Sequence, residues 1–300
     1  MSFRIFLSLI FLLSLTACVS VEDKTRLYSS HYSSHYSGEL PPENTAACTL
    51  QSADTTIGGR ALDPGSISLL NWNIYKGDGK NWQPDLDAYA AGHDIITLQE
   101  ARLREELIDT LKRYAQEWTI NTAFYIDEQA TGVMTVSTSP VLHSCGYKTT
   151  EPLIRIPKST LVSYYAIEGS EDKLLVANIH GINFTLGMAA YEQQLDELYR
   201  AIRHHSGPMI VAGDFNSWSE KRMAAVTRFR NDLRLSALEY RVNNKTHLFG
   251  NAIDHVFYRG LEPLNKKVWQ VSSSDHNPIS VNFRLLTAVD ETILVRAGGE

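Results

Sequence analysis

Six short segments carry polar side chains directly after or inside apolar runs. They are Asn73 in NWNIYKG, Glu100 in ITLQEA, His180 in VANIHGINF, Asp214 and Asn216 in IVAGDFNSW, Asp254 in AIDHVFY, and Asp275 with His276 in SSDHNP. Each has an ordinary reading by itself, since a Glu at a strand end can cap a helix and Gly-Asp or Asp-His-Asn-Pro makes a turn. Taken together they form a chemical kit. Glu100, Asp214 and Asp275 with Asn73 supply hard oxygen donors, which suit Mg²⁺ (or Mn²⁺) better than Zn²⁺. His180 and His276 add proton carriers and hydrogen-bond donors for phosphate. Asp254 could hold the His276 imidazole through an Nδ1–H bond, fixing its tautomer and raising its basicity. The set suits metal-assisted hydrolysis of a phosphoester. A zinc hydrolase would favour HExxH and a Walker ATPase would need GxxxxGK[ST], and neither occurs.

These segments lie far apart in the chain, so they meet only if strands deliver them to one rim. Residues 66–74 (SISLLNWNI) and 95–99 (IITLQ) read as buried strands, with a helix over 85–91 between them and another over 103–115. The section 124–177 reads as mostly β: GVMTVS, VLHSCGY, 159–167 and KLLVANIH are bounded by Gly, Pro and Ser. Tyr191, Leu195, Leu198 and Ile202 recur at offsets of four, three and four, the spacing of one helical face. Strand MIVAG, a helix over 219–230 and closing strands DHVFY and PISVNF complete a layered α/β chain.

With 300 residues, 43% hydrophobic and 21% charged, the chain has the composition of a folded protein rather than a disordered one. A formal net charge of −6 argues against coating nucleic acid or anionic membrane by bulk basicity, while local basic patches stay open. Arg4 precedes an apolar run over 5–15 that is too short to span a bilayer, which reads as an export signal over 1–17. The run ends in Leu15-Thr16-Ala17-Cys18, which resembles the lipobox of bacterial lipoproteins. That resemblance implies cleavage before Cys18, acylation of Cys18 and, with Val19 rather than Asp next, the outer membrane of a bacterial envelope, facing the periplasm. Residues 18–48 are polar, with a Tyr-Ser-Ser-His near-repeat at Tyr28, Tyr32 and Tyr36, and are expected to form a flexible low-complexity tether. In an oxidising compartment Cys48 and Cys145 could pair. One domain is then expected over 49–300.

In the order WN, LQE, NxH, GDFN, DH and SDHNP the segments resemble the endonuclease/exonuclease/phosphatase superfamily, which includes pancreatic deoxyribonuclease, exonuclease III-type enzymes and bacterial sphingomyelinases. The resemblance covers 66–283. It extends to the YafD-like bacterial branch through NWNIYK, TGVMTVS, NIHGINFTLG and HHSGPMIVAGDFNSWS. It implies a four-layer α/β/β/α sandwich, two packed mixed β-sheets flanked by helices, with a divalent-metal site at one end. It further implies Glu100 as main Mg²⁺ ligand with Asn73 beside it and Asp275 sharing the ion. Asp214 and Asn216 would orient the attacking water or the phosphate. His276, braced by Asp254, would be general base, and His180 would bond the phosphate or protonate the leaving oxygen, although the acid and base assignments vary within the superfamily.

Departures from the family pattern narrow the substrate only in part. The Trp-Cys-Asp-Arg of the inositol polyphosphate phosphatases is absent, and Ser137-Thr138-Ser139 lacks the Ser-Arg or Ser-Lys phosphate contact of many relatives. Arg102, Arg104, Lys221 and Arg222 lie near motif loops and are candidates to line a groove for nucleic acid. A membrane phospholipid would suit the anchor equally. Trp72, Trp218 and Trp269 are expected to be buried rather than to stack on bases. The expectation is therefore a monomeric, envelope-anchored phosphodiesterase, nuclease-like or sphingomyelinase-like, with no protein partner evident. The competing reading is a non-catalytic envelope binding module that retains the fold.

Overall fold

The computed structural model describes residues 19–30, 48, 50, 59–114, 117–241 and 243–287. In chain order the strands are β1 (Val19–Ser20), β2 (Arg26–Ser29), β3 (Ile67–Asn73), β4 (Ile95–Arg102), β5 (Glu117–Ile126), β6 (Gln129–Ser137), β7 (Val141–Thr150) and β8 (Pro157–Ala166). They continue with β9 (Lys173–His180), β10 (Met209–Asp214), β11 (Ser236–Ala237), β12 (His247–Leu248), β13 (Asn251–Ala252), β14 (Asp254–Arg259), β15 (Leu261–Val268) and β16 (Ile279–Leu285). The α-helices are α1 (Trp82–Ala90), α2 (Glu105–Leu111), α3 (Ala189–Ile202) and α4 (Glu220–Asp232).

One sheet has the order β1-β5-β6-β4-β3-β16-β15, with β2 also on β5, and the other β11-β14-β10-β9-β8-β7. Both are mixed: β3 runs parallel to β4 and β9 to β10, each pair joined across a helix, while their other neighbours are antiparallel. Alternation along each strand divides the apolar residues between two faces. Leu70 and Trp72 of β3 join Leu86, Leu107 and Leu111 of the first helix pair. Ile67 and Leu69 instead meet Val176 and Ile210 of the other sheet. Val211 of β10 packs outward with Leu195, Leu198, Val226 and Phe229. These apolar seams define four layers, α/β/β/α, as expected.

Towards one end the inter-sheet seam turns polar. Gln99 Nε2 donates to Asn71 Oδ1 at 2.9 Å and to Asn178 Oδ1 at 2.8 Å, and Asn178 Nδ2 donates to the carbonyls of Leu98 and Met134 at 3.1 and 2.9 Å. Gln99, Asn71 and Asn178 are buried, and these bonds tie the facing sheets together beneath the strand ends.

Several sequence expectations change. The first helix begins earlier, at Trp82, and the second stops at Leu111. The tether expected over 18–48 is not free where it is described: β1 and β2 lie antiparallel along β5, Leu27 is buried, and the Tyr28 and Tyr125 hydroxyls are 2.8 Å apart. Edge pairing satisfies backbone groups that a polar sequence would otherwise leave to water. Residues 31–47 lie outside the described residues. Cys48 and Cys145 are joined in a disulfide, and Cys48 is also held by its N–H to the Ala201 carbonyl and by the Tyr164 hydroxyl. The signal segment 1–17 and Cys18 lie outside the described residues.

Candidate active site

The ends of β3, β4, β9 and β10 and the start of β14 converge on one rim. Asn73 closes β3, and its Nδ2 donates to Asp214 Oδ2 at 3.1 Å, so the two sheets meet there side chain to side chain. Glu100 sits in β4 with φ 52°, at an irregularity in the β4–β6 ladder between Leu98 and Ala101. The bulge turns its carboxylate out of the strand alternation and into the cleft. Gly213 immediately precedes Asp214, with φ 152° and a Cβ position 2.0 Å from the Ile179 carbonyl. Only glycine lets β10 approach β9 closely enough to place Asp214 beside His180.

Asp214 is buried and receives three bonds: from Asn73, from the Asn216 backbone N–H at 2.9 Å to Oδ1, and from Asn216 Nδ2 at 3.3 Å to Oδ2. Asn216, at φ 48°, also donates from Nδ2 to the Gly181 carbonyl at 2.9 Å. Its amide therefore braces Asp214 and the loop after β9. His276 Nδ1 lies 3.0 and 2.9 Å from the two oxygens of Asp254, and its Nε2 lies 3.7 Å from Asp214 Oδ2. His180 Nε2 lies 3.4 Å from Asp214 Oδ2 and 3.9 Å from Glu100 Oε1. The His276 loop is pinned by Trp72 Nε1 to the His276 carbonyl at 2.9 Å and by the Ser274 hydroxyl to the Asn73 carbonyl at 2.7 Å.

Two lysines complete the cluster, and the sequence did not single out either. Lys76, at φ 58° in the short turn after β3, is ion-paired to Glu100. Lys158, on β8, places Nζ 3.0 Å from His180 Nε2. An ammonium can only donate, so Nε2 accepts and His180 is the neutral Nδ1–H tautomer.

The charges follow from these neighbours. Burial opposes ionisation of Glu100, but Lys76 and Lys158 outweigh it and hold its carboxyl below the usual value. Burial, then the Lys158 charge, pushes His180 well below an ordinary histidine. Burial raises Asp214 to about 6. For His276, burial works against the charged form, yet Asp254 and then Asp214 raise it to about 10. Asp214, Asp254 and His276 present ligand atoms within 4.8 Å of one another. Asp254, however, spends both oxygens on His276 Nδ1, which makes that pair a braced imidazole rather than a cage.

Among the expected metal ligands, Glu100 meets the Lys76 ammonium. That stand-in, with the ionised carboxylate it faces, fits a divalent ion. Asn73 points its amide nitrogen at Asp214 and accepts at Oδ1 from the Tyr75 N–H. The Asp275 side chain is 63% exposed, with Oδ1 4.0 Å from His276 Nε2.

Three of the four basic groove candidates are committed to structure. Arg102 pairs with Asp127 at 2.9 Å, and Arg104 binds the Lys76 and Gly77 carbonyls. Arg222 is buried: NH1 donates to the carbonyls of Ile182 and Asn216 at 2.6 and 2.8 Å, and NH2 to that of Asn183 at 2.8 Å. Its guanidinium lies 4.5 Å from the Tyr191 ring and 4.4 Å from the Trp218 ring. One side chain thus clamps the loops after β9 and β10. Arg222→Met leaves these carbonyls without a donor and should cost about 3 kcal/mol or more. Urea unfolding checks this; an unchanged midpoint would contradict the clamp. Trp72 is buried, while Trp218 and Trp269 are partly so.

His255 is packed, stacked on Phe257 at 5.3 Å, with Nε2 2.8 Å from the Ser217 hydroxyl. Burial lowers its pKa from 6.5 to about 3. Between those values the unfolded chain takes a proton that the native chain refuses. The stability due to this group is therefore complete above pH 6.5 and falls as pH drops towards 3, by up to about 1.4 kcal/mol per pH unit. The stability gap between the protein and His255→Asn should shrink on acidification, and thermal melts across that range test it. A gap independent of pH would contradict a neutral native His255.

A family model described as the Endonuclease/Exonuclease/phosphatase family matches residues 70–276, and the chain belongs to that family. Among curated relatives, a UPF0294 protein of Vibrio vulnificus is 43% identical over 229 residues, 74% of this chain and 78% of that one. The YafD-like resemblance and these relatives agree. Among solved structures, the human Nocturnin catalytic domain with bound sulfate anion superposes with a TM-score of 0.57 at 17% identity, covering 76% of this chain and 97% of that one. A family protein of Beutenbergia cavernae gives 0.55 at 16% identity, covering 75% and 72%. At such identities the likeness is one of fold.

Proposed function

We propose that the protein is a Mg²⁺-dependent phosphodiesterase, held by lipid on Cys18 in the outer membrane of a bacterial envelope and facing the periplasm. Family membership gives phosphoester hydrolysis as the class of reaction. The observation that carries the finer reading is the meeting of Glu100, His180, Asp214 and the Asp254–His276 pair at one end of both sheets. A binding module would have no physical need to bury Asp214, Asp254 and two histidines against one another beside Glu100.

The protonation states suggest a division of labour. Asp214, raised to about 6, is ionised at neutral pH yet basic enough to take a proton from water. His276, raised to about 10, arrives protonated, which suits donation rather than the base role expected from the family pattern. Water oxygen bonds to phosphorus as the P–O bond to the leaving alcohol breaks. The water proton passes to Asp214, and the His276 Nε2 proton passes to the leaving oxygen. Lys158, oriented by its bond to His180 Nε2, donates to a phosphoryl oxygen, supplying the cation that Ser137-Thr138-Ser139 lacks. A divalent ion at Glu100, in the place of Lys76, would supply further stabilisation of charge on the phosphoryl oxygens.

The test is hydrolysis of bis(p-nitrophenyl) phosphate with Mg²⁺ or with EDTA. Mg²⁺-dependent release of nitrophenol is expected. Activity surviving EDTA would contradict the metal requirement, and inactivity of the folded protein with every divalent metal tried would favour the binding module.

A further inference from the structure

The end of the sandwich that carries the site is apolar as well as reactive. Large apolar side chains stand exposed on three of its loops: Leu153 and Ile154 between β7 and β8, Phe184 and Leu186 after β9, and Leu248 and Phe249 ahead of β14. Leu186 is 82% exposed and Phe249 80%. Tyr75, after β3, joins them. Of the other large apolar side chains exposed among the described residues, Leu264 lies on β15 towards the opposite end, and Val21 follows β1. Single exposed leucines are ordinary, but several gathered on one rim from distant parts of the chain mark a contact surface.

The loops are held in place. The Asn183 N–H donates to buried Glu151, tying the second loop to the first. Phe249 meets the Trp218 ring edge-on at 6.0 Å, and Asn251 donates to the Trp218 carbonyl.

The chain's start points to what covers this rim. Val19 pairs with Ile126 at the tip of the β5–β6 hairpin, the same end at which β6 pairs with Ala101 and Arg102 just beyond Glu100. In the sheet order β1-β5-β6-β4 this is three strand spacings, about 14 Å, from the strand of Glu100. The apolar run 5–15 and Cys18 come immediately before Val19 in sequence. With β1 fastened to β5, a lipid on Cys18 holds the site end, and not the far end, at the bilayer. A polyanion groove would instead need free basic side chains, and Arg102, Arg104 and Arg222 are spent on internal contacts.

We propose that this rim seats on a lipid bilayer and that the phosphodiester the site takes is that of a membrane phospholipid. The substrate half of this rests on the phosphodiesterase reading above. Insertion of Leu186 and Phe249 between headgroups brings the headgroup phosphates to the level of Lys158 and His276. The apolar rim then adds a second membrane contact beside the lipid anchor.

Every described strand and helix lies within 19–287, so the chain from Val19 onward retains all of them without the anchor. That protein, the double variant Leu186→Ser/Phe249→Ser and the control Leu264→Ser are compared after near-ultraviolet circular dichroism shows each folded. Sedimentation with vesicles of phosphatidylethanolamine and phosphatidylglycerol should show binding that the double variant weakens at least about tenfold and the control leaves unchanged. Hydrolysis of the vesicle phospholipid should fall with binding, while hydrolysis of bis(p-nitrophenyl) phosphate stays the same in all three. Equal vesicle binding by parent and double variant would overturn the docking surface. Cleavage of plasmid DNA with intact vesicle lipid would overturn the substrate class. Loss of activity on bis(p-nitrophenyl) phosphate in the parent would instead remove the phosphodiesterase reading, while the binding comparison still decides the surface.

Discussion

Replacing His276 with Ala lowers turnover of bis(p-nitrophenyl) phosphate at least ~10²-fold, because the variant loses the only protonated imidazole of the cluster. The companion change is more diagnostic. With Asp214 as acceptor and His276 as donor, activity rises as Asp214 ionises near 6 and falls as His276 deprotonates near 10. Asp254 is the foremost group raising His276, so Asp254→Asn moves the alkaline limb towards neutral pH. Asp214, relieved of a neighbouring negative charge, shifts the acid limb down as well. If His276 were instead the base, it would have to lose its proton before turnover, so the parent's acid limb would lie at the raised His276 value and Asp254→Asn would move that limb down without bringing the alkaline limb towards neutral pH. A pH–rate profile of the two proteins separates these outcomes. Near-normal turnover by His276→Ala would remove His276 from the chemistry altogether.

The site was legible where chemistry and strand ends coincide, and illegible where only three-dimensional pairing brings a residue in. Asn73, Glu100, His180 and Asp214 each close or bend a strand whose apolar run announces it, so their common rim followed from the fold class. Lys158 has no such signal: it is one lysine in RIPKST, and it reaches His180 only because Thr160 pairs with Ile179 in the β8–β9 ladder. Lys76 needed the left-handed turn after β3. Arg222 misled for the converse reason, since a guanidinium near a motif loop reads as free until its carbonyl partners are seen. The strands that escaped the pattern are polar ones. In β5, Asn121 faces the other sheet and is bonded to the Tyr147 and Thr160 carbonyls, which breaks the apolar alternation of an interior strand. In β15 the run Leu264, Asn265, Lys266 and Lys267 is exposed, and the strand is defined by its ladder to β16. β1 and β2 hid in a tract whose composition suggests a linker, and they are held by their ladders to β5, by Leu27 and by the Tyr28–Tyr125 contact.

Glu100→Gln should cost ~10²–10³-fold in Mg²⁺-dependent turnover, the loss typical when one preorganised electrostatic contact to the reacting group is removed. The reason lies in what Glu100 already holds. Its carboxylate is kept ionised by two lysines and is paired with one of them, so cation binding at this corner is an exchange of Lys76 for a divalent ion. The amide of Gln keeps the shape and removes the charge, and with it the preference for either cation. A thermal melt reads this without turnover: Mg²⁺ bound to the native state raises the melting temperature of the parent, and the shift should vanish in Glu100→Gln. Lys76→Met removes the competing cation, so the same melting shift should be reached at a lower Mg²⁺ concentration than in the parent. Equal Mg²⁺ protection in Glu100→Gln would place the metal elsewhere. A need for more Mg²⁺ in Lys76→Met would show that the lysine supports the ion rather than standing in for it.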